Sequence, residues 1–408
     1  MMTRIDYRAL DWKLIGAFLA LSLIGIVTIF SAQFYADSAY KQTYFLRQSL
    51  WLAIALMAFL AVLHAPQRLF DAGAYTFYGV ALVLLVAVLA VGHSRMGASR
   101  WFDIGPFSVS PSDLGKVALL LTLSRFFAYT RLPIASKRRL GLSAALALIP
   151  MALVLKQPDL GTSLVFMVLL FALWFWSGLS PWYMLLILSP LISLVAAFYW
   201  LSWVLYFVVL IAFLGILRPG LLFSIVMMLF NLGFGMITPM IWNHLKDYQK
   251  MRILVFLDPG YDPRGAGYQI IQSKIAIGSG GILGKGFLNG SQARLDYLPE
   301  RHTDFIFSVF GEEFGLLGTL IVIGLFLYIF YRCLGIAVRC RSKFASNVIF
   351  GAISIFFFQF IVNIGMTLGL MPVTGLPLPF VSYGGTALLT SWVLVGLIVI
   401  SEYHQHEY

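Results

Sequence analysis

The chain has 408 residues, of which 60% are hydrophobic and 11% are charged, and its mean hydropathy is +0.89. A soluble domain has roughly 45–50% apolar and about 25% charged residues, so this composition excludes an ordinary soluble protein. In a soluble chain the net charge of +11 would suggest a nucleic-acid partner. In a membrane protein, basic residues instead reflect the topology of the chain and its attraction to anionic lipid head groups. We therefore expect no nucleic-acid partner.

Apolar stretches near 20 residues recur along the whole chain, and each can cross a bilayer core of about 30 Å as a helix. A β-barrel would instead alternate polar and apolar residues in segments of roughly ten. We therefore predict an all-α, polytopic transmembrane bundle of about twelve spans. The predicted spans are 14–31, 50–64, 75–92, 113–130, 140–155, 161–177, 182–200, 203–217, 220–242, 305–331, 346–370 and 383–402.

Basic residues predict the orientation of the bundle, because they are in excess on cytoplasmic loops. With a cytoplasmic N-terminus, fourteen basic residues lie inside: Arg4, Arg8, Lys13, Arg68, Arg125, Arg131, Lys137, Arg138, Arg139, Arg218, Arg332, Arg339, Arg341 and Lys343. The short outer loops then hold five: Lys41, Arg47, Arg95, Arg100 and Lys156. This difference predicts that both termini are cytoplasmic.

The predicted outer loops have an unusual composition. The segments 93–112, 156–161 and 371–385 are rich in glycine, proline and aromatic residues. A loop that only connects two helices does not need so many glycine, proline and aromatic residues. We expect these loops to fold back or to pack on one another over a cavity.

Lys116 lies about one turn into the fourth predicted span, with Asp113 one turn before it. A charge inside a span is costly, so Lys116 should face the bundle interior and find a partner. It either binds an anionic head group or forms a structural pair with Asp113 or Asp159. Arg47 and Arg100 allow the same two interpretations, and Asp159 in KQPDLG can also simply cap a helix.

The long segment 244–304 is predicted to be an extracytoplasmic loop that carries the active site. Asp262 lies there in DPRGAGYQ, where a proline stiffens one side and Gly265 and Gly267 allow close backbone approach. A carboxylate on a stiff turn over an apolar cavity suits a general base. Asp258, in a second Asp-Pro pair, is the alternative base, and both pairs can also be simple turns.

A short interfacial helix is predicted from Tyr268 to Ile277. Its Lys274 can meet a phosphate as a point charge. After it, LPERHTDF places His302 and Asp304 at the entry of the next span. His302 is a candidate acid, base or ligand, and the alternative is a polar rim whose charges satisfy one another.

Five motifs occur in order along the chain: GASRWFDIGPFSVSPSDLGK, KQPDLGTS, LDPGYDPRGAGYQIIQSKIAIGSGG, LPERHTDFIFSVFGEEFG and PLPFVSYGG. With them the chain resembles the SEDS family (shape, elongation, division and sporulation) over essentially its whole length, and its elongation members more than its division members. The resemblance implies one integral-membrane domain, 1–408, with a ten-helix core, so the pair near 203–242 is additional. One departure is Asp113, where the family usually has glutamate.

The resemblance implies a peptidoglycan glycosyltransferase. Such an enzyme polymerises lipid II into glycan strands on the outer face of the bacterial cytoplasmic (inner) membrane during cell elongation. A class B penicillin-binding protein is the implied transpeptidase partner. The resemblance leaves room for a Mg²⁺ or Mn²⁺ ion, but no ligand cluster in the sequence is clear enough to assign.

The essential aspartate of the family maps onto Asp262, the implied catalytic residue. The implied substrate-binding residues are Arg47, Arg100, Lys116, Asp159, Gly265, Gly267, Tyr268, Gln269, Lys274, His302, Asp304 and Ser382.

Two other functions remain open at this point. A transporter of lipid-linked precursor is compatible with intramembrane charges and broken loops. It would need polar groups on both sides and near the midplane, whereas the polar residues here are concentrated on one face. A non-catalytic scaffold for the transpeptidase predicts that Asp262→Asn leaves function intact.

Overall fold

A computed structural model describes residues 6–35, 43–95, 98–104, 107–263, 265, 267–295 and 297–403. Its first half contains α1 (Trp12–Gln33), α2 (Tyr44–His64), α3 (Gln67–Ala72), α4 (Ala74–Val91), β1 (His93–Arg95), β2 (Ala98–Ile104), β3 (Phe107–Val109), α5 (Pro111–Tyr129), α6 (Lys137–Lys156), α7 (Leu160–Trp176) and α8 (Pro181–Ala196). Its second half contains α9 (Trp200–Leu217), α10 (Leu221–His244), α11 (Asp247–Leu257), α12 (Tyr268–Gly280), α13 (Ser291–Arg294), α14 (Ile306–Arg339), α15 (Lys343–Thr367) and α16 (Gly385–Tyr403).

The predicted helical bundle is confirmed, and each of the twelve predicted spans falls on a helix. Among the described residues, nine helices are long and apolar enough to cross a membrane. Helices α7 and α8 are apolar but shorter. Helix α5 carries Asp113, Lys116 and Arg125 within its apolar sequence. The protein is a multi-pass helical membrane protein, and the exact number of crossings stays a prediction.

The two ends of the described chain meet at one end of the bundle. The Asp6 N–H donates a hydrogen bond to the Tyr403 hydroxyl at 3.0 Å. Beside them, Asp11 at the start of α1 forms an ion pair with Arg332 near the end of α14. An even number of crossings would produce this arrangement. Which side of the membrane this end faces stays a prediction.

Helices α15 and α16 form the centre of the bundle. Helix α16 packs along α2, and α15 packs against α5, α7 and α14. Trp392 of α16 is fully buried, with its ring centroid 5.5 Å from that of Phe59. Its indole N–H donates to Ser22 Oγ at 3.2 Å, which satisfies the one polar atom of this large side chain.

The additional pair near 203–242 corresponds to α9 and α10. The turn 218–220 separates them, with Arg218 at φ 45° and Gly220 at φ 102°. Asn231 of α10 is fully buried, and its side-chain amide accepts from the Tyr206 hydroxyl at 2.5 Å and donates to Ser189 Oγ at 2.8 Å. This buried polar network joins α8, α9 and α10.

A three-stranded antiparallel sheet in the order β1-β2-β3 was not predicted. It occupies the loop between α4 and α5, where strands of three to seven residues are too short to show an alternating pattern. Strand β2 packs against α4 and α5, and β3 packs against α16. This agrees with the prediction that the loop packs rather than tethers.

Candidate active site

Arg100 joins the sheet to the turn between α6 and α7. Its guanidinium donates to the backbone oxygens of Gln157, at 3.1 Å, and of Pro158. It also lies 3.7 Å from the Asp159 carboxylate. Asp159 Oδ1 accepts from the Thr162 N–H at 3.0 Å, which confirms that it caps α7. The structure therefore brings Arg100 and Asp159 together, and both position this turn.

Lys116 forms an ion pair with Asp113, with Nζ 2.6 Å from Oδ1. Of the two structural pairs considered for Lys116, the structure shows this one. Its side chain is only 6% exposed, so the cation is held in a medium of low dielectric constant. Both residues line a narrow cavity that also contacts Gln359 and Ser382. A buried cation beside a cavity can meet an anionic group.

Ser382 lies where the 371–384 segment covers the entry of α14. Its hydroxyl donates to Thr303 O at 2.7 Å and accepts from Leu378 N–H at 2.9 Å. Its backbone oxygen accepts from Gln48 Nε2 at 3.2 Å. The backbone N–H of Tyr383 donates to His302 O at 2.9 Å. These bonds place His302 and Ser382 close together.

Asp304 and Arg47 belong to the same end of the bundle. The backbone oxygen of Asp304 accepts from Asn363 Nδ2 at 3.1 Å. Arg47 lies in the first turn of α2 and its side chain is half-buried. It immediately precedes Gln48, whose side-chain amide bonds to the 382–384 backbone. Both residues therefore lie near the segment that carries Ser382.

Asp262 lies at the tight turn that precedes α12. Its Oδ1 accepts from the Gly265 N–H at 2.9 Å. A Cβ at Gly265 would lie 2.2 Å from the Asp262 carboxylate, and a Cβ at Gly267 would lie 2.3 Å from a backbone oxygen. Both glycines are thus needed for close approach, as predicted. Asp262 is half-buried, whereas Asp258 is exposed and caps a short turn.

Helix α12 confirms the predicted short helix and runs three residues further, to Gly280. Tyr268 and Gln269 form its first turn, directly after Gly267. Ser273 fixes the helix to its neighbours, because its hydroxyl donates to Thr367 O and lies 2.6 Å from Ser308 Oγ. The helix that follows Asp262 is therefore anchored to α14 and α15.

Lys274 extends over the end of α15. A Cβ at Gly369 would lie 2.3 Å from Lys274 Cε, and Gly369 has a φ of +72°. A larger residue at position 369 would displace the lysine chain. The ammonium group therefore lies beside Gly369, just before the 371–384 segment.

The predicted site residues gather at one end of the bundle, opposite the end at which Asp6 meets Tyr403. They form three groups, namely Arg100 with Asp159, the cavity with Lys116 and Ser382, and the turn of Asp262. Among the described residues, the lining of the cavity does not include Asp262. A Cβ at Gly161 would lie 2.7 Å from Thr374 O, so the first group also contacts the 371–384 segment.

The family assignment follows from a match to the FtsW/RodA/SpoVE family, described as cell cycle proteins, over residues 11–210 and 201–407. The chain belongs to this family. It is the SEDS family that the sequence motifs resemble. The two matched segments meet within α9, inside the additional helix pair.

Two individual relatives of this SEDS chain support the family assignment. Peptidoglycan glycosyltransferase MrdB of Escherichia coli K12 is 40% identical over 357 residues, which are 87% of this chain and 84% of MrdB. Peptidoglycan glycosyltransferase RodA of Treponema pallidum is 33% identical over 422 residues, covering 95% of this chain and 96% of that protein.

Solved structures extend the agreement to the fold. A chain from a peptidoglycan synthase complex, studied for the coordination of polymerization and crosslinking, has a TM-score of 0.71 at 32% identity. That match covers 98% of this chain and 100% of the other. The crystal structure of rod shape determining protein RodA from Thermus thermophilus has a TM-score of 0.65 at 28% identity, covering 98% and 99%.

Two buried carboxylates of this SEDS chain were not predicted as site residues. Glu312 and Glu313 lie in the second turn of α14 and are 0% and 1% exposed. Glu312 binds Lys285 at 2.7 Å, and Glu313 accepts from the Ser31 hydroxyl. The signal was present, because two adjacent acids in an apolar helix require partners. Their partners are distant in sequence and could not be named from it.

Proposed function

We propose that the protein polymerises lipid II, with Asp262 as general base. In this reaction Asp262 removes the proton from the 4-hydroxyl of the acceptor GlcNAc. That oxygen bonds to C1 of the MurNAc in the growing chain, and the bond from C1 to the pyrophosphate breaks. The α-linkage is inverted to β, and undecaprenyl pyrophosphate leaves with the negative charge.

The class of enzyme rests on family membership. The protein is a peptidoglycan glycosyltransferase, as are MrdB and RodA, with which it aligns over most of both chains. The specific donor and acceptor are our proposal. A lipid-linked donor suits a site that opens from a bundle of apolar helices, since nucleotide sugars are not supplied outside the cytoplasmic membrane.

The position of the Asp262 carboxylate is the observation that supports its assignment as the general base. A backbone N–H holds it in place, two glycines clear the space beside it, and α12 behind it is anchored to the bundle. A general base needs such a fixed position within reach of the proton it removes. Asp258 differs, because it is exposed and its carboxylate accepts from the Gly260 N–H of a separate short turn.

Lys116 and Lys274 are the cations that we assign to the leaving pyrophosphate. Lys116 is pre-positioned and buried beside the cavity, where a fixed charge stabilises developing negative charge without reorganisation. Lys274 projects over the end of α15 beside the 371–384 segment. Arg100 has a different task, since its guanidinium holds the turn that presents Asp159.

We also propose a class B penicillin-binding protein as transpeptidase partner, and an active site on the outer face of the bacterial inner membrane. The related peptidoglycan synthase complex supports the partner, because its structure concerns both polymerization and crosslinking. The excess of basic residues on the opposite segments supports the orientation.

Whether the reaction uses a divalent cation is a separate question. Within the part of the chain that the structure describes, no three His, Cys, Asp or Glu side chains form a group that could hold a metal ion. Adding Mg²⁺ or Mn²⁺ to a chelator-treated assay measures whether the reaction uses one.

The proposed function is tested with purified protein, its transpeptidase partner and lipid II. We expect glycan strands that a muramidase degrades. A parallel assay in liposomes measures translocation of lipid II between leaflets. Polymer without translocation supports the proposal, whereas translocation without polymer would assign the protein to the transporters.

A further inference from the structure

Three aromatic rings from distant parts of the chain meet at the end of the bundle that carries the site. Tyr44 begins α2, His302 precedes α14, and Tyr383 lies in the 371–384 segment. The rings of Tyr44 and Tyr383 are stacked, with centroids 4.8 Å apart and planes at 19°. The His302 centroid lies 4.8 Å from that of Tyr44 and 5.6 Å from that of Tyr383. All three residues are half-buried, so part of each remains accessible.

The rings are not required to hold these three segments together, because hydrogen bonds already do so. Tyr383 N–H donates to His302 O at 2.9 Å, and Ser382 Oγ donates to Thr303 O at 2.7 Å. Gln48, one turn after Tyr44 in α2, bonds twice to the 382–384 backbone, each time at 3.2 Å. A purely structural explanation therefore leaves the choice of three aromatic residues unaccounted for.

The chemistry of the cluster suits a sugar ring. An aromatic face carries partial negative charge, and the C–H groups on one face of a pyranose carry partial positive charge. The hydroxyl groups of a sugar point sideways, where polar groups such as Arg47 and Asp304 lie nearby along the chain. An alkyl chain would instead require an apolar rim.

The position of the aromatic cluster restricts which sugar it can bind. Ser382, next to Tyr383, lines the cavity together with Lys116. A pyranose on the rings can thus extend an anionic substituent toward a buried cation. We propose that Tyr44, His302 and Tyr383 form a stacking platform for the pyranose that carries the pyrophosphate. This proposal rests on the proposed function, which supplies the substrate.

The first measurement is the kinetics of lipid II polymerisation by the complex with its transpeptidase. Tyr383→Leu keeps an apolar side chain without a ring, and we expect the KM to rise roughly 3- to 10-fold with kcat within about twofold. Tyr383→Phe keeps the ring and should retain the wild-type KM. Tyr297→Leu, at an exposed tyrosine in the preceding loop, is the matched control and should change neither constant.

The second measurement is saturation-transfer NMR in detergent, with chitotriose as a soluble probe. Irradiation of aromatic protons should transfer saturation to the ring C–H groups of chitotriose equally in wild type and Tyr383→Phe, and clearly less in Tyr383→Leu. Equal transfer in all three, or no transfer in a wild type that polymerises lipid II, would overturn the platform and leave the proposed function intact. A fall in kcat and thermal stability of Tyr383→Leu with unchanged KM would also overturn it.

The proposed function and the stacking platform can be refuted independently of each other. A wild-type complex that makes no glycan contradicts the proposed function. The chitotriose signal still decides for or against the platform in that case, because it requires no turnover. Tyr44→Leu repeats both measurements at a second ring if Tyr383→Leu does not fold.

Discussion

Glu312 provides the sharpest test of how the segment 285–292 is held. Its carboxylate is fully buried and accepts from Lys285 Nζ at 2.7 Å, from Ser291 N–H at 2.9 Å and from Gln292 N–H at 3.1 Å. All three donors belong to the segment 285–292, which follows α12. One side chain of α14 therefore bonds to both ends of this segment.

The cost of Glu312→Ala follows from these contacts. Hydrogen bonds to charged groups contribute about 1.5–3 kcal/mol each, and removing one member of a buried ion pair costs about 3–5 kcal/mol. We expect the docked state of 285–292 to lose about 3–5 kcal/mol relative to the open state. Because 1.36 kcal/mol corresponds to a factor of ten, amide exchange should accelerate by roughly two to four orders of magnitude.

Hydrogen–deuterium exchange of the peptide covering 285–295 measures this change in purified protein. Glu300→Gln is the control, because this half-buried acid accepts from Thr303 and not from the 285–292 segment. Exchange in Glu312→Ala within tenfold of wild type would refute the reasoning. The segment would then be held by backbone contacts, such as those from Lys285 N–H and Gly286 N–H to α14, rather than by the carboxylate.

Three further predictions follow from single contacts. Gly284→Ala should undock the same segment, because Gly284 has a φ of +81° and its Cβ would lie 2.1 Å from a backbone oxygen of α14. Gly278→Ala, in open space on a helix, should raise thermal stability slightly, and equal melting of the two variants would contradict this. Burial alone would raise the pKa of Asp11, but hydrogen bonds from Arg332 and from the start of α1 lower it. A lowered folded pKa adds stability above the unfolded pKa of about 3.9 that is lost as pH falls through the folded value. Wild type should thus lose more thermal stability than Asp11→Asn on acidification below about pH 4, and parallel curves would refute it. Arg100→Lys keeps the charge but loses the paired contacts to backbone oxygens, so polymerisation should fall roughly tenfold. Unchanged activity would show that Arg100 does not position the site.

The helices could be predicted because hydropathy is a local signal. Stretches such as α15 and α16 are apolar over nearly their whole length, and each coincides with a predicted span. Boundaries were less certain. Helix α14 continues eight residues past its predicted end, to Arg339, since a helix can extend beyond the apolar core.

The site was predicted in part, and the limits have a physical cause. Asp262 and its glycines are neighbours in sequence, so their turn could be inferred from local rules. The partner of Lys116 lies one turn away in the same helix, so this ion pair could also be predicted from the sequence. The partners of Glu312, and the meeting of Tyr44 with Tyr383, join residues far apart in the chain. Such contacts depend on tertiary packing, which periodicity and motif spacing do not specify.

The measurement that tests the central claim most directly compares Asp262→Asn with Asp258→Asn in lipid II polymerisation by the complex. Both variants remove one carboxyl charge from an Asp-Pro turn, and they lie four residues apart. We expect Asp262→Asn to make no glycan while it still folds and binds the transpeptidase, and Asp258→Asn to polymerise like wild type. Normal polymerisation by Asp262→Asn, or loss of polymerisation in Asp258→Asn alone, would contradict it.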